Sequence, residues 1–196
     1  MSDTRAPSDD VRELASRNAE AAALCAAERH KEAIPLFVSI LTDCRAILGP
    51  DHVGTLTVAG NLAVACVVAG RRREGINLMV ANVNDRIRVL GEDDPRTLTS
   101  IDALAVAHRL AGNVDDAVVL SGRVTVQRTR TLGPAHPDTL TSRMGLAVAR
   151  AAAGALESAF TLLTVAINDA EEAHGPRHSH TLALIDAGRN IGLIRR

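Results

Sequence analysis

Apolar residues recur at three- and four-residue steps along nearly the whole chain, and glycines interrupt them at regular places. Leu56, Ala59, Leu62, Ala63, Cys66 and Ala69 form one stripe that stops at Gly70. Ile76, Leu78, Met79, Val83, Ile87 and Leu90 form the next, which stops at Gly91. Such steps gather apolar groups on one side of a helix, and glycine suits the left-handed residue that ends one. The pattern predicts two helices joined by a short turn.

The same pair returns along the chain. "LGPDHVGTL" begins at 48, "LGEDDPRTL" at 90, "LGPAHPDTL" at 132 and "HGPRHSHTL" at 174, a constant spacing of 42 residues. Leu62, Leu104 and Leu146 fall in register, as do Ala63, Ala105 and Ala147, and Gly70, Gly112 and Gly154. An earlier copy, "EAAALCAAERHKEAI" from 20 to 34, matches in its second half and has Glu28 at the glycine position. In the loop, Gly133 ends a helix, Pro134 prevents its resumption and Pro137 suits the next first turn. His136, or Asp94 in the copy before, stands near the N-cap. The expected elements are helix pairs near 9–48, 53–90, 95–132 and 137–174, then a last helix near 179–196. Residues 1–8 are expected to be a loose tail and 9–196 one domain. No pair can bury both stripes alone, so each leans on the next. The expected fold is all-α, a right-handed α-solenoid of four helix-turn-helix repeats plus a C-terminal capping helix.

Composition narrows the picture. The apolar fraction is 46%, yet aromatic residues make up only 1%, two Phe with no Trp or Tyr. Ala, Val, Leu and Ile suit many thin contacts between close helices better than one thick core. The formal charge of −1 gives no pull toward nucleic acid or anionic membrane. Lys31 is the one lysine among the basic residues, a bias consistent with a GC-rich bacterial genome. Cys25, Cys44 and Cys66 are odd in number and lack CxxC spacing, so neither a disulfide framework nor a zinc site is indicated. No run approaches the ~18 apolar residues of a membrane span, and "MSDTRAPSDD" has no apolar segment of signal-peptide type. The expectation is a cytoplasmic protein without cofactor, nucleic-acid or membrane partner.

Leu62-Ala63, Gly70 and the small residues opening the second helices (Ala33, Gly75, Ala117, Ala159) make the chain resemble the tetratricopeptide repeat. The ordinary unit of that family has about 34 residues. A 42-residue unit with "LGxxHPxTL" between copies is similar to the kinesin light chain type, also found in bacterial regulators. The aromatic expected in the first helix is replaced by Leu24, Cys66, His108 and Arg150, and that of the second survives only as Phe37, with Met79, Ser121 and Leu163 elsewhere. The resemblance implies a protein-interaction module whose groove, lined by first helices, holds an apolar or amphipathic peptide or helix. Its partner-binding residues would be Asn61, Val64, Val68, Asp102, Val106, Arg109, Met144 and Val148, with Val67 nearby. Asn61, Asp102 and Arg109 would be the polar anchors, unless Arg109 pairs with Asp102 or the valines pack against neighbouring helices.

Other candidates carry less. His52, His136 and His178 are one or two repeats apart, too far to share a metal, and His174, His178 and His180 have no interleaved carboxylate. His108 and Arg150 fall at core positions, where Arg150 is expected to reach solvent or an acid such as Glu157. "GRRREG" puts three arginines on one turn, without the broad basic face and stacking aromatics of nucleic-acid binders. No nucleophile triad, phosphate loop or pair of catalytic acids stands out; catalytic and metal residues are none. Two other functions remain open: a regulatory sensor for a small molecule or signal peptide, and a homodimer through Leu184, Ile185, Ile191, Leu193 and Ile194 of the last helix.

Overall fold

A computed structural model describes residues 7–193. Among them are nine helices and no strand: α1 (Pro7–Ala26), α2 (His30–Ile47), α3 (Val53–Val68), α4 (Arg72–Leu90), α5 (Pro95–Ala111), α6 (Val114–Leu132), α7 (Pro137–Ala152), α8 (Leu156–His174) and α9 (Ser179–Asn190). Pro7 and Ser8, expected in a tail, belong to α1; residues 1–6 lie outside the described residues. The chain divides into two compact units, Met1–Ser100 and Ile101–Arg196.

The turns repeat on a shorter period than the sequence motif shows. Gly49, Gly70, Gly91, Gly112, Gly133, Gly154 and Gly175 all have positive φ, each 21 residues after the last. Glu28 falls one step earlier and is the one non-glycine among the described residues in that state, with φ 60°. There the Arg29 N–H donates to the Leu24 carbonyl at 2.9 Å, as Arg71 donates to Cys66 at Gly70, the closure of a helix end that requires a left-handed residue. Glu28 is exposed and pays a steric cost for that backbone. Glu28→Gly should therefore stabilise the chain by about 1 kcal/mol, seen as a rise in the urea midpoint; an unchanged or lower midpoint refutes it.

The loops between pairs are closed by side chains. His52 Nδ1 accepts from the Gly54 N–H at 3.0 Å, His136 from Asp138 at 3.2 Å and His178 from His180 at 3.4 Å. The loop histidines are thus N-caps. In the second loop Asp94 does the same work, accepting from the Arg96 N–H at 2.8 Å while pairing with the Arg96 guanidinium. That guanidinium, above all, holds the Asp94 carboxyl down at about 2, against an ordinary 3.8. A lowered folded-state value means the cap's contribution is complete above the ordinary value and is lost as pH falls toward 2. Asp94→Asn should flatten that part of a stability profile measured in urea between pH 5 and 2; an unchanged slope would count against the cap. Behind the caps, Thr55, Thr97, Thr139 and Thr181 are buried at the same repeat position. Thr55 and Thr181 donate to the Gly49 and Gly175 carbonyls at 2.7 and 2.9 Å and tie the loops back.

In the first unit α1 packs on α2, α2 on α3, α3 on α4, and α1 also meets α3. The core here holds Leu14, Ile34, Phe37, Ile40, Leu62 and Cys66. In the second unit α6 packs on α7, α7 on α8, and α9 on both α7 and α8, around Leu140, Ala147, Leu163, Ala166 and Leu184. Helix α9 ends at Asn190 and not near 196. The Ile191, Gly192 and Leu193 amides turn back to the Ala187, Arg189 and Gly188 carbonyls, with Gly192 at φ 74°. This closure folds Ile191 and Leu193 onto the core beside the buried Leu184. Leu184 is therefore removed from the apolar face expected to support self-association, and Ile194 lies outside the described residues.

Candidate functional site

In the second unit, the first helices of successive pairs, α5, α7 and α9, line a groove of about 430 Å³. Five of the residues expected to bind a partner meet there: Asp102, Val106, Arg109, Met144 and Val148, joined by Asn190. Helical spacing explains why, since 102, 106 and 109 share one face of α5 while 144 and 148 share one face of α7. The walls are mainly apolar and small, and the floor includes Ser121. Val106 is 43% exposed, so it is not spent on packing.

The two charged residues of this groove have different situations. Asp102 does not pair with Arg109. Its Oδ2 accepts from Arg128 Nη1 and from the Ser142 hydroxyl, both at 2.8 Å. Burial pushes the Asp102 carboxyl up, against the downward pull of Ser142 and Arg128. Arg128, 4% exposed, also donates to Ser142 Oγ and the Asp138 carbonyl. Asp102 therefore acts first as an internal counter-charge. The Arg109 guanidinium has no hydrogen bond or ion pair among the described residues and is the cation the groove offers.

In the first unit Val64 and Val68 stand exposed one turn apart on α3, while Val67 is buried and packs against the start of α4. Asn61 is partly committed, its Nδ2 donating to Asn18 Oδ1 at 3.0 Å. Sequence reasoning, confined to first helices, missed two buried arginines on second helices, Arg86 and Arg128. Their 42-residue separation was a signal that could have found them.

The other candidates find local partners. Arg150 donates to Ser158 Oγ at 2.8 Å and not to Glu157. His108 lies 3.3 Å from Asp116 and from Asn113. His174 stacks on His178 and His180 lies tilted against His178, and no group of three His, Cys, Asp or Glu among the described residues is placed to hold a metal. The thiols of Cys25, Cys44 and Cys66 are all pushed up by burial, away from reactive thiolate. No helix among the described residues is long and apolar enough to cross a membrane.

Comparison with known proteins gives these helix pairs a family. Two family models, both described as tetratricopeptide repeat, match residues 12–78 and 97–138, together more than half of the chain. The chain belongs to the tetratricopeptide repeat family. Among solved structures, the kinesin-light-chain-type, nearly identical TPR-like repeats of Podosopora anserina superpose with a TM-score of 0.80 at 26% identity, covering 96% of this chain and 90% of that one. A single-substitution variant of the same protein gives the same score and identity over 97% and 90%. BtubC (BKLC) from P. vanneervenii shares the fold at a TM-score of 0.73 and 18% identity, over 85% of this chain and 68% of that one. No curated protein sequence matches. Tetratricopeptide repeats generally mediate protein–protein interaction or scaffolding, and members of the family are typically non-enzymatic.

Proposed function

We propose that this tetratricopeptide repeat protein is a cytoplasmic interaction module that holds an apolar or amphipathic helix or peptide of a partner protein against its first helices. The observation that carries this reading is the groove of the second unit, with apolar walls beside Arg109, which is unpaired among the described residues. An amphipathic helix laid in such a groove reads out anchors at three- and four-residue steps, and the exposed Val106 and the half-buried Val148 offer the facing apolar surface. Asn61, Val64 and Val68 offer the same kind of surface on the first unit, and Arg109 receives an acidic side chain of the partner.

Selection of 15-residue peptides displayed on phage tests this directly. Selected sequences should carry apolar residues at helical spacing, and Val106→Asp with Val148→Asp should weaken them at least about tenfold, the loss expected when a desolvated contact of ~1.4 kcal/mol disappears, with the melting temperature unchanged. Peptides that bind the double variant as well as the native chain would overturn the site. The groove volume also lies within the roughly 300–1,000 Å³ of small-molecule sites, which supports a second reading, a sensor that binds a small ligand in the same groove. Native mass spectrometry of the purified protein separates the two.

A further inference from the structure

The second and third helix pairs solve one electrostatic problem in two ways. Arg86 and Arg128 occupy the same repeat position, 42 residues apart, and both are buried, Arg86 with 6% of its surface exposed. Arg128 is neutralised by Asp102. Forty-two residues before Asp102 stands Gly60, which has no side chain to offer. A Cβ at Gly60 would lie 3.2 Å from Asn82 Oδ1, 3.8 Å from Asn82 Cγ and 4.0 Å from Arg86 Nη2, so the Asn82 amide borders that position most closely and the guanidinium lies just beyond it. Gly60 is only half-buried, and it shares a face of α3 with the exposed Val64.

Nothing within the described residues supplies the missing charge. Arg86 Nε donates to Asn82 Oδ1 at 3.1 Å, and Asn82 is itself held by the Leu56 carbonyl at 2.7 Å. Asp94 lies close enough to act on Arg86 but is already paired with Arg96. Burial first, then Arg96, pulls Arg86 below its ordinary arginine value, while Asp94 opposes them. A buried cation without a counter-charge is costly, and an incoming carboxylate would relieve that cost.

We propose that a carboxylate on a bound partner segment, the side chain of an Asp or Glu, enters the gap at Gly60 and pairs with Arg86 Nη2, in the place that Asp102 fills beside Arg128. The inference rests on the reading that a partner lies along the first helices, and it names one chemical feature of that partner. It concerns a second-helix arginine reached through a glycine, separate from the groove of the second unit.

The test is a titration of the isotope-labelled full chain, observed by NMR at the Gly60 amide and the Arg86 Nε–H. N-acetylaspartate N-methylamide is the probe, its asparagine isostere the control, and N-acetylglycine stands for a free chain end. Saturable shifts of both signals with the aspartate probe and none with the isostere are expected. Gly60→Asp supplies the carboxylate internally and should abolish the shifts; Gly60→Asp with Asn82→Val copies the Asp102 and Val124 pair of the next repeat, should Asn82 crowd the single variant. Unmoved signals, an equal response to the isostere, or shifts that survive in a folded variant overturn the site, and tighter binding of N-acetylglycine overturns the side-chain source. Peptides captured through Val106 and Val148 with Arg86 silent sink this inference alone. An Arg86 response with no peptide selected through Val106 and Val148 sinks the groove of the second unit as the docking site and leaves the carboxylate site of the first unit standing.

Discussion

Asp102→Ala should destabilise the chain by about 3–5 kcal/mol, the usual consequence of removing one partner of a buried ion pair. Arg128 is held on α6 by packing, and its guanidinium cannot follow the lost carboxylate to solvent. Ser142 and the Asp138 carbonyl are among the acceptors it would keep, and neither of these two carries a charge. The pair itself is a different matter. Burial, the largest influence, and repulsion from Asp138 together raise the Asp102 carboxyl more than Ser142 and Arg128 lower it, so the cost of placing this carboxylate here outweighs the attraction. Removing both charges, as Asp102→Ala with Arg128→Met, should therefore recover most of the loss. Urea unfolding of the three variants, followed by far-ultraviolet circular dichroism, measures both numbers. A double variant as unstable as Asp102→Ala would mean the pair stabilises the fold outright.

Gly75→Ala should destabilise by about 1–3 kcal/mol, the range for overpacking a close contact. Alignment of the repeats argues the opposite, since Ala33, Ala117 and Ala159 fill this position and are fully buried. Alanine is also the better helix former by about 1 kcal/mol. The geometry decides against it. A Cβ at Gly75 would sit 2.5 Å from Val67 Cγ2, 2.8 Å from the Ala63 carbonyl oxygen and 2.8 Å from the Val67 nitrogen. Two of those atoms are backbone and cannot rotate away, so α3 and α4 would have to separate. A higher urea midpoint for Gly75→Ala would show that they do so at little cost.

Much of the fold is legible in the sequence because every pair repeats one local solution. The stripe of Leu56, Leu62 and Cys66, the stop at Gly70 and the cap at His136 each follow from short-range rules. What escapes is whatever depends on which neighbour a side chain finds. Arg109 is the nearer mate for Asp102 in sequence, yet Arg128, 26 residues away on the facing helix, takes it. Asn61 meets Asn18 across 43 residues. Glu28 hides the regular left-handed turn, because a charged residue gives no local sign of it. The early end of α9 follows from Gly192, whose positive φ is one of several states a glycine could adopt. Arg86 and Gly60 could have been read from the repeat alignment, as the place where a paired acid is missing.

The left-handed corners at every twenty-first residue also bear on how such a gene can change length. Recombination that removes or adds one whole copy leaves each corner, histidine cap and tethering threonine joined to the helix it was shaped for. A slip of half a copy still meets a glycine, but it hands the sequence of one helix type to the slot of the other, turning the small-residue seam outward. Descendants of this chain should accordingly differ by multiples of 42 residues rather than of 21.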